Sequence, residues 1–347
     1  MDLGLSLGYL TGPVGPAARR ALELTRAAED AGFASVWVAE AYGTDAVSVL
    51  GWLAAQTTRI GLGSAVLQVP ARAAASTAMT AATLDGLSGG RFRLGLGVSG
   101  PQVAEGWYGQ SFSRPLARTR EYVAVVRQLL ARGESRFDGR HLQLPLPDGP
   151  GIPLRLMQPT PRPDLPVHLA AVGPRNVELA GEVADGWLPS FLVPEDSTGS
   201  FDRLRAGFAR RDRPVEGFEV TATVPLVVTG ASGPARAEAE RPVRDLLALY
   251  LGGMGSREQN FYADLGRRLG FGAAVDEVQD LYLAGRRAEA AQRVPQDLLA
   301  ATTLVGSAAS VRARLDDYER AGVTTVALAP VGADPVADLR AVSAPGG

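Results

Sequence analysis

The side chains that could move a proton or hold a cofactor in this chain gather at the ends of short apolar runs. Glu40 closes the run SVWVA at residues 35–39, and Tyr42 lies two residues further on. An acid at the C-terminal end of a parallel strand faces the mouth where ligands bind, so it can donate a proton or touch a cofactor. As readily, it is a surface acid. Glu105 and Trp107 follow the turn Gly95-Leu96-Gly97-Val98-Ser99-Gly100 and could close over a ligand, or be an exposed acid and a packing aromatic. Gly173-Pro174-Arg175-Asn176 precedes a helical pattern. Free backbone N–H groups there, with Arg175 nearby, would cradle a phosphate, although an ordinary turn reads the same way.

Composition removes much other chemistry. All 35 basic residues are Arg, which excludes Schiff-base lysine, lysine-anchored pyridoxal phosphate and the Walker lysine. With no Cys there is no thiolate nucleophile, iron–sulfur cluster or Cys-bound zinc, and two His cannot build an HExxH zinc site, so no metal is expected. His168 sits inside the apolar run PVHLAAV and reads as a satisfied core imidazole; His141, close to Gly139, reads as surface. The net charge of −2 points away from nucleic acid. The opening MDLGLSLGYLTGP has no basic leader, and no stretch reaches ~18 apolar residues, so a cytoplasmic protein without membrane contact is expected.

These residues need a scaffold that brings strand ends together. Strand patterns at 2–8, 35–39, 59–66, 91–97, 166–172, 186–190, 218–228 and 323–329 alternate with helical ones such as 16–31, 71–87 and 115–131. Eight βα units predict a (β/α)8 TIM barrel of ~250 residues, with insertions at 133–166 and 245–299. An open doubly wound sheet is the alternative. The GxGxxG at 95–100 would suit a Rossmann turn, but Pro101 follows and no helix is expected before 115, so the glycines are placed at the barrel mouth. One domain over 1–347 is expected.

The segments VWVAEAYGTDAVSVLGWLAAQTTRIGLGSAVLQVPAR, LSGGRFRLGLGVSGPQVAEGWYGQSFSRPLARTREY and HLAAVGPRNVELAGEVADGWLP closely resemble the luciferase-like monooxygenase superfamily, in particular its coenzyme F420-dependent oxidoreductase branch. The stretch YLGGMGSREQNFY, opening at Tyr250, looks like the helical insertion of one subgroup. The resemblance implies a TIM barrel that binds F420, or FMN as the alternative, at its mouth, and a homodimer. It implies a non-prolyl cis peptide at Ala65–Val66 behind the ring, Glu40 beside the ring, and Ser99, Gly100, Ala171, Gly173 and Pro174 along the tail, next to Arg175. Several relatives carry His after the strand-two acid. Here Ala41 stands there, leaving Glu40, Tyr42 or Glu105 as the proton source. Trp107, Tyr250, Met254 and Asn260, with Phe261 and Tyr262, are expected to form the wall for a small organic substrate. The expected reaction is hydride transfer to an activated C=C or C=N bond, or alcohol oxidation in reverse. A flavin-dependent monooxygenase and a non-catalytic flavin-binding protein are the other readings.

Overall fold

The computed structural model describes residues 1–157, 162–257 and 259–344. Eight parallel strands close into a barrel: β1 Asp2–Gly8, β2 Ser35–Val38, β3 Gly61–Ser64, β4 Phe92–Gly97, β5 Val167–Ala170, β6 Gly186–Leu188, β7 Glu219–Val228 and β8 Thr325–Pro330. Each pairs with the next, and β8 returns to β1 with Asp2 opposite Thr325. The (β/α)8 expectation is met, and the open sheet is ruled out by that closing pair.

Alternation along each strand decides what faces where. Outward positions such as Leu3, Leu5, Val36, Val38, Leu62, Leu94, Leu96, Val326 and Leu328 join the large apolar layer beneath the helices. Inward positions are mostly small, because the lumen is narrow and two large rings fill it. Trp37 and His168 pack 5.4 Å apart between ring centroids. A Cβ on Gly63 would lie 2.3 Å from the Trp37 ring, and one on Gly186 would lie 2.8 Å from His168. Glycine at those two positions is what makes room for the rings.

At the lower end of the lumen Arg93 grips Glu219, with Nε donating to Oε2 at 2.9 Å and Nη2 to Oε1 at 3.2 Å. His168 is fully buried, as expected, but it is not satisfied. Its Nε2 lies 3.3 Å from Glu219, yet neither ring nitrogen has a hydrogen-bond partner among the described residues. Burial pushes its pKa down to about 4, against the pull of the Glu219 charge.

Element edges shift where chemistry not visible in periodicity intervenes. The third expected strand stops at Ser64, passes through a cis Ala65–Val66 peptide and resumes as Leu67–Gln68. A helix spans Pro101–Gly106, where none was expected before 115, because Gly100 and Pro101 supply a turn start and a fixed φ. The helix Thr198–Phe208 also went unread. The insertion begins inside the helix Gly233–Ala248, and a strand at Leu304–Gly306 pairs with β7 outside the barrel. The first excursion holds a small hairpin, Phe137–Asp138 with Gln143–Leu144. Its residues 158–161 lie outside the described residues. The helices after 245 enclose their own apolar core around Leu247, Leu251, Val275, Val278 and Leu298. No helix among the described residues is long and apolar enough to cross a membrane.

Candidate active site at the barrel mouth

The mouth has an apolar floor. Ala65, Val66, Ala170, Leu188 and Ala327 form one cluster above Trp37. Val66 fills the space that a side chain at residue 97 would need: a Cβ on Gly97 would lie 2.5 Å from Val66 Cγ2. Gly95 is tighter still, its absent Cβ falling 1.8 Å from the Ser64 carbonyl oxygen. The glycines read as a GxGxxG therefore serve close strand packing and floor shape. Ser99 beyond them has φ +62, the left-handed region, which turns the chain at the rim.

Glu40 is at this rim and is 6% exposed. Arg72 Nη2 donates to its Oε2 at 2.8 Å, and Nη1 donates to Oε1. The backbone N–H of Ala46, first residue of the helix Ala46–Ala54, donates to Oε2 at 3.0 Å. Three donors on two oxygens, at a helix N-terminus, is an arrangement built for a carboxylate. The same pairing raises the Arg72 pKa, chiefly through its hydrogen bond to Glu40. Gln68 Nε2 holds the Glu40 carbonyl at 2.8 Å, and Tyr122 donates to the Arg72 carbonyl at 3.1 Å.

Two buried polar atoms at this rim, Gln68 Oε1 and Thr44 Oγ1, have no hydrogen-bond partner among the described residues. An apolar floor edged by unused hydrogen-bonding atoms fits the apolar ring of a flavin or deazaflavin. A cavity of about 360 Å³ lies beside Arg72, lined also by Val98, Phe112, Arg118 and Tyr122. Arg72 thus links Glu40 to that side cavity. Among the described residues no group of three His, Asp or Glu could hold a metal ion.

The other expected site residues divide. Tyr42 and Trp107 are exposed at 59% and 63%, with ring centroids 6.4 Å apart, forming an aromatic rim. Glu105 is exposed and accepts from the Phe112 N–H at 2.9 Å, so it braces its own loop. Gly173 caps the helix Pro174–Val183, and Arg175 is exposed beside it. Ala171 is 2% exposed, and its carbonyl takes the Trp187 indole N–H at 2.9 Å. Tyr250 and Met254 are half-buried in the insertion.

Asn260 is a correction. It is 1% exposed, and its amide is fully occupied: Nδ2 donates to the Tyr250 and Leu251 carbonyls, and Oδ1 accepts from Tyr262 and Ala263. It caps the helix Phe261–Gly266 and has no atom left for substrate.

Sequence reasoning missed Arg72 and Gln68. Arg72 was not within reach, because its partner is 32 residues away.

The sequence profile of the luciferase-like monooxygenase family matches residues 4–325. A protein of Mycobacterium tuberculosis, named provisionally as a coenzyme F420-dependent oxidoreductase, is 46% identical over 349 residues, covering 99% of both chains. The 5,10-methylenetetrahydromethanopterin reductase of Methanolobus tindarius is 29% identical over 307 residues, 88% of each chain. Among solved structures, the coenzyme F420-dependent tetrahydromethanopterin reductase of Methanopyrus kandleri superposes with a TM-score of 0.82 at 22% identity, covering 99% of this chain and 97% of that one. With its closed barrel, its broken third strand and a family match along most of its length, the chain belongs to the luciferase-like monooxygenase family.

Proposed function

We propose that this protein is a coenzyme F420-dependent oxidoreductase that exchanges a hydride between the deazaflavin and an organic substrate. The observation that carries this reading is the 46% identity, across 99% of both chains, to a protein named for that cofactor. The floor of Ala65, Val66, Ala170, Leu188 and Ala327 would lie against the ring. Glu40, held by Arg72, would edge it, and Ser99, Gly100, Gly173, Pro174 and Arg175 would follow the phosphate-bearing tail. When bound, the deazaflavin supplies a hydride and its electron pair. The chain supplies orientation, a dry apolar surface and a proton.

The aromatic rim of Tyr42 and Trp107 and the half-buried Tyr250 and Met254 suit an uncharged acceptor, an activated C=C or C=N bond, or an alcohol in the reverse direction. We infer a homodimer as well: Met79 and Leu87 on the helix Ala74–Leu87 are exposed at 60% and 62%, apolar surface that a second copy would cover.

Anaerobic titration with reduced F420 and, separately, reduced FMN tests the reading, followed by tryptophan fluorescence. Tighter binding of F420 is expected. Tighter binding of FMN, with oxygen uptake on adding substrate, would overturn it in favour of a monooxygenase.

A further inference from the structure

The cavity of about 360 Å³ beside Arg72 shares none of its lining with the apolar floor of the mouth. Its wall comes from the loop after the broken third strand, the end of β4, the helix Pro101–Gly106 with the loop behind it, and the helix Pro115–Leu130. Val69, Val98, Ala104, Phe112 and Leu142 make much of that wall apolar. A cavity of this size and character suits a small organic molecule.

Its charge has one sign. Arg72 and Arg118 line it, and among the described residues no Asp or Glu does. Arg72 spends Nη1 and Nη2 on Glu40. Arg118 is free to do more. Its Nη1 donates to the Ser111 carbonyl at 2.6 Å, which fixes the guanidinium at the wall. Its Nε and Nη2 have no hydrogen-bond partner, and no carboxylate pairs with it, among the described residues. The acids on neighbouring elements are engaged elsewhere. Glu121, one turn along the same helix, accepts from the N–H groups of Arg140, His141 and Leu142 at 3.0, 2.7 and 2.8 Å. Glu105 braces Phe112. The Nε–Nη2 edge of a guanidinium is a planar two-pronged donor that matches the two oxygens of a carboxylate. The helix Ala74–Leu87 also begins at this wall, and its cap residue Ala73 gives its first N–H groups no side-chain acceptor, so its positive end adds to the field of Arg118.

We propose that this cavity is a second binding site, separate from the floor, for an organic carboxylate with an apolar body. The carboxylate sits on the Nε–Nη2 edge of Arg118, and the body lies against Val69, Val98 and Phe112. Arg72 adds positive charge without a free fork, because Glu40 holds it. Inorganic phosphate is the weaker ligand, since it leaves the apolar wall uncovered. The site is formed by the chain alone and does not depend on which cofactor occupies the mouth.

The test uses the whole protein without added cofactor and 4-benzoylbenzoate as the probe, an apolar carboxylate that also crosslinks under ultraviolet light. Calorimetric titration is expected to show one saturable site, with 4-benzoylbenzamide and inorganic phosphate each binding at least tenfold more weakly. Arg118→Gln should weaken the probe about tenfold or more, the value of a charge-assisted pair, while Arg19→Gln on the outer helix Val14–Asp30 leaves it unchanged. Illumination followed by peptide mass mapping should place the crosslink within residues 69–74, 98–104 or 110–122. Thermal unfolding checks that Arg118→Gln is folded; if it is not, the acid-against-amide comparison and the crosslink position decide on wild type alone. Absence of saturable binding, equal binding of acid and amide, phosphate binding as tightly as the probe, an unweakened folded Arg118→Gln, or a crosslink at residues 65–66 or 188 each overturns the proposal. None of these outcomes touches the deazaflavin reading, which the F420 titration tests separately.

Discussion

Two Arg–carboxylate pairs, one at each end of the barrel, look alike and do different work. Both are two-pronged, but the upper one joins the ends of neighbouring strands whereas the lower one reaches across the lumen from β4 to β7. The upper one, Arg72 with Glu40, has side chains exposed at 19% and 4%, is edged by orphaned polar atoms and adjoins a cavity. The lower one, Arg93 with Glu219, is exposed at 28% and 29%, and the fully buried His168 sits above it. The mouth pair is enclosed and surrounded by unused hydrogen-bonding capacity, which suits ligand binding. The lower pair is half-hydrated and closes off the lumen, which suits structure.

The largest expected difference comes from breaking each pair. Arg72→Ala strands the Glu40 carboxylate in a nearly dry site and should cost about 3–5 kcal/mol in urea unfolding. Arg93→Ala leaves Glu219 in contact with water and should cost about 1 kcal/mol or less. Equal losses would show that both pairs are structural in the same sense.

A second test sharpens the lower end. His168 is held neutral by burial, with its pKa lowered to about 4, whereas in the unfolded chain it titrates near its ordinary value. The unfolded state then binds the extra proton first, so this contribution is complete above about pH 6.5 and is lost as pH falls to 4, roughly 3 kcal/mol in all. Asp338, raised to about 6 by burial, acts oppositely over part of that window. Comparison of wild type with His168→Leu removes the Asp338 effect, and the variant should show the flatter acid limb in unfolding followed from pH 7 to 4.

Smaller effects separate the rim from the insertion. Asn260→Ala should cost about 2 kcal/mol, since it unmakes a helix cap and two carbonyl contacts together. Hydrogen exchange should place that loss in residues 250–266 and leave the barrel strands protected. Glu105→Gln keeps an acceptor for the Phe112 N–H and should change stability by less than about 0.5 kcal/mol. A large loss of turnover in that variant would return Glu105 to the list of proton sources.

Legibility followed the range of each interaction. The barrel was readable because each strand declares itself by local apolar runs and each helix by its own period; both act within a few residues. The positions of Glu40, Tyr42 and Trp107 at the mouth were readable for the same reason, as residues just past a strand or the turn that follows it. The cis Ala65–Val66 bond was expected only through family resemblance, and the structure holds it there. The short helix at Pro101–Gly106 was overlooked because six residues carry too little periodicity to stand out.

By itself, then, the sequence determined which chemistry is available and which architecture carries it. Arginine, carboxylate and phenol are present; lysine, thiol and Cys-bound metal are ruled out by composition, and eight apolar runs alternate with helices. Only the tertiary structure decided which of those groups are already spent. It gave Glu40 to Arg72 and Ala46, closed Asn260 into a cap and buried His168 with no hydrogen-bond partner among the described residues. The Glu40–Arg72 pairing depends on groups 32 residues apart meeting at hydrogen-bond distance, which local propensity does not encode and barrel closure does.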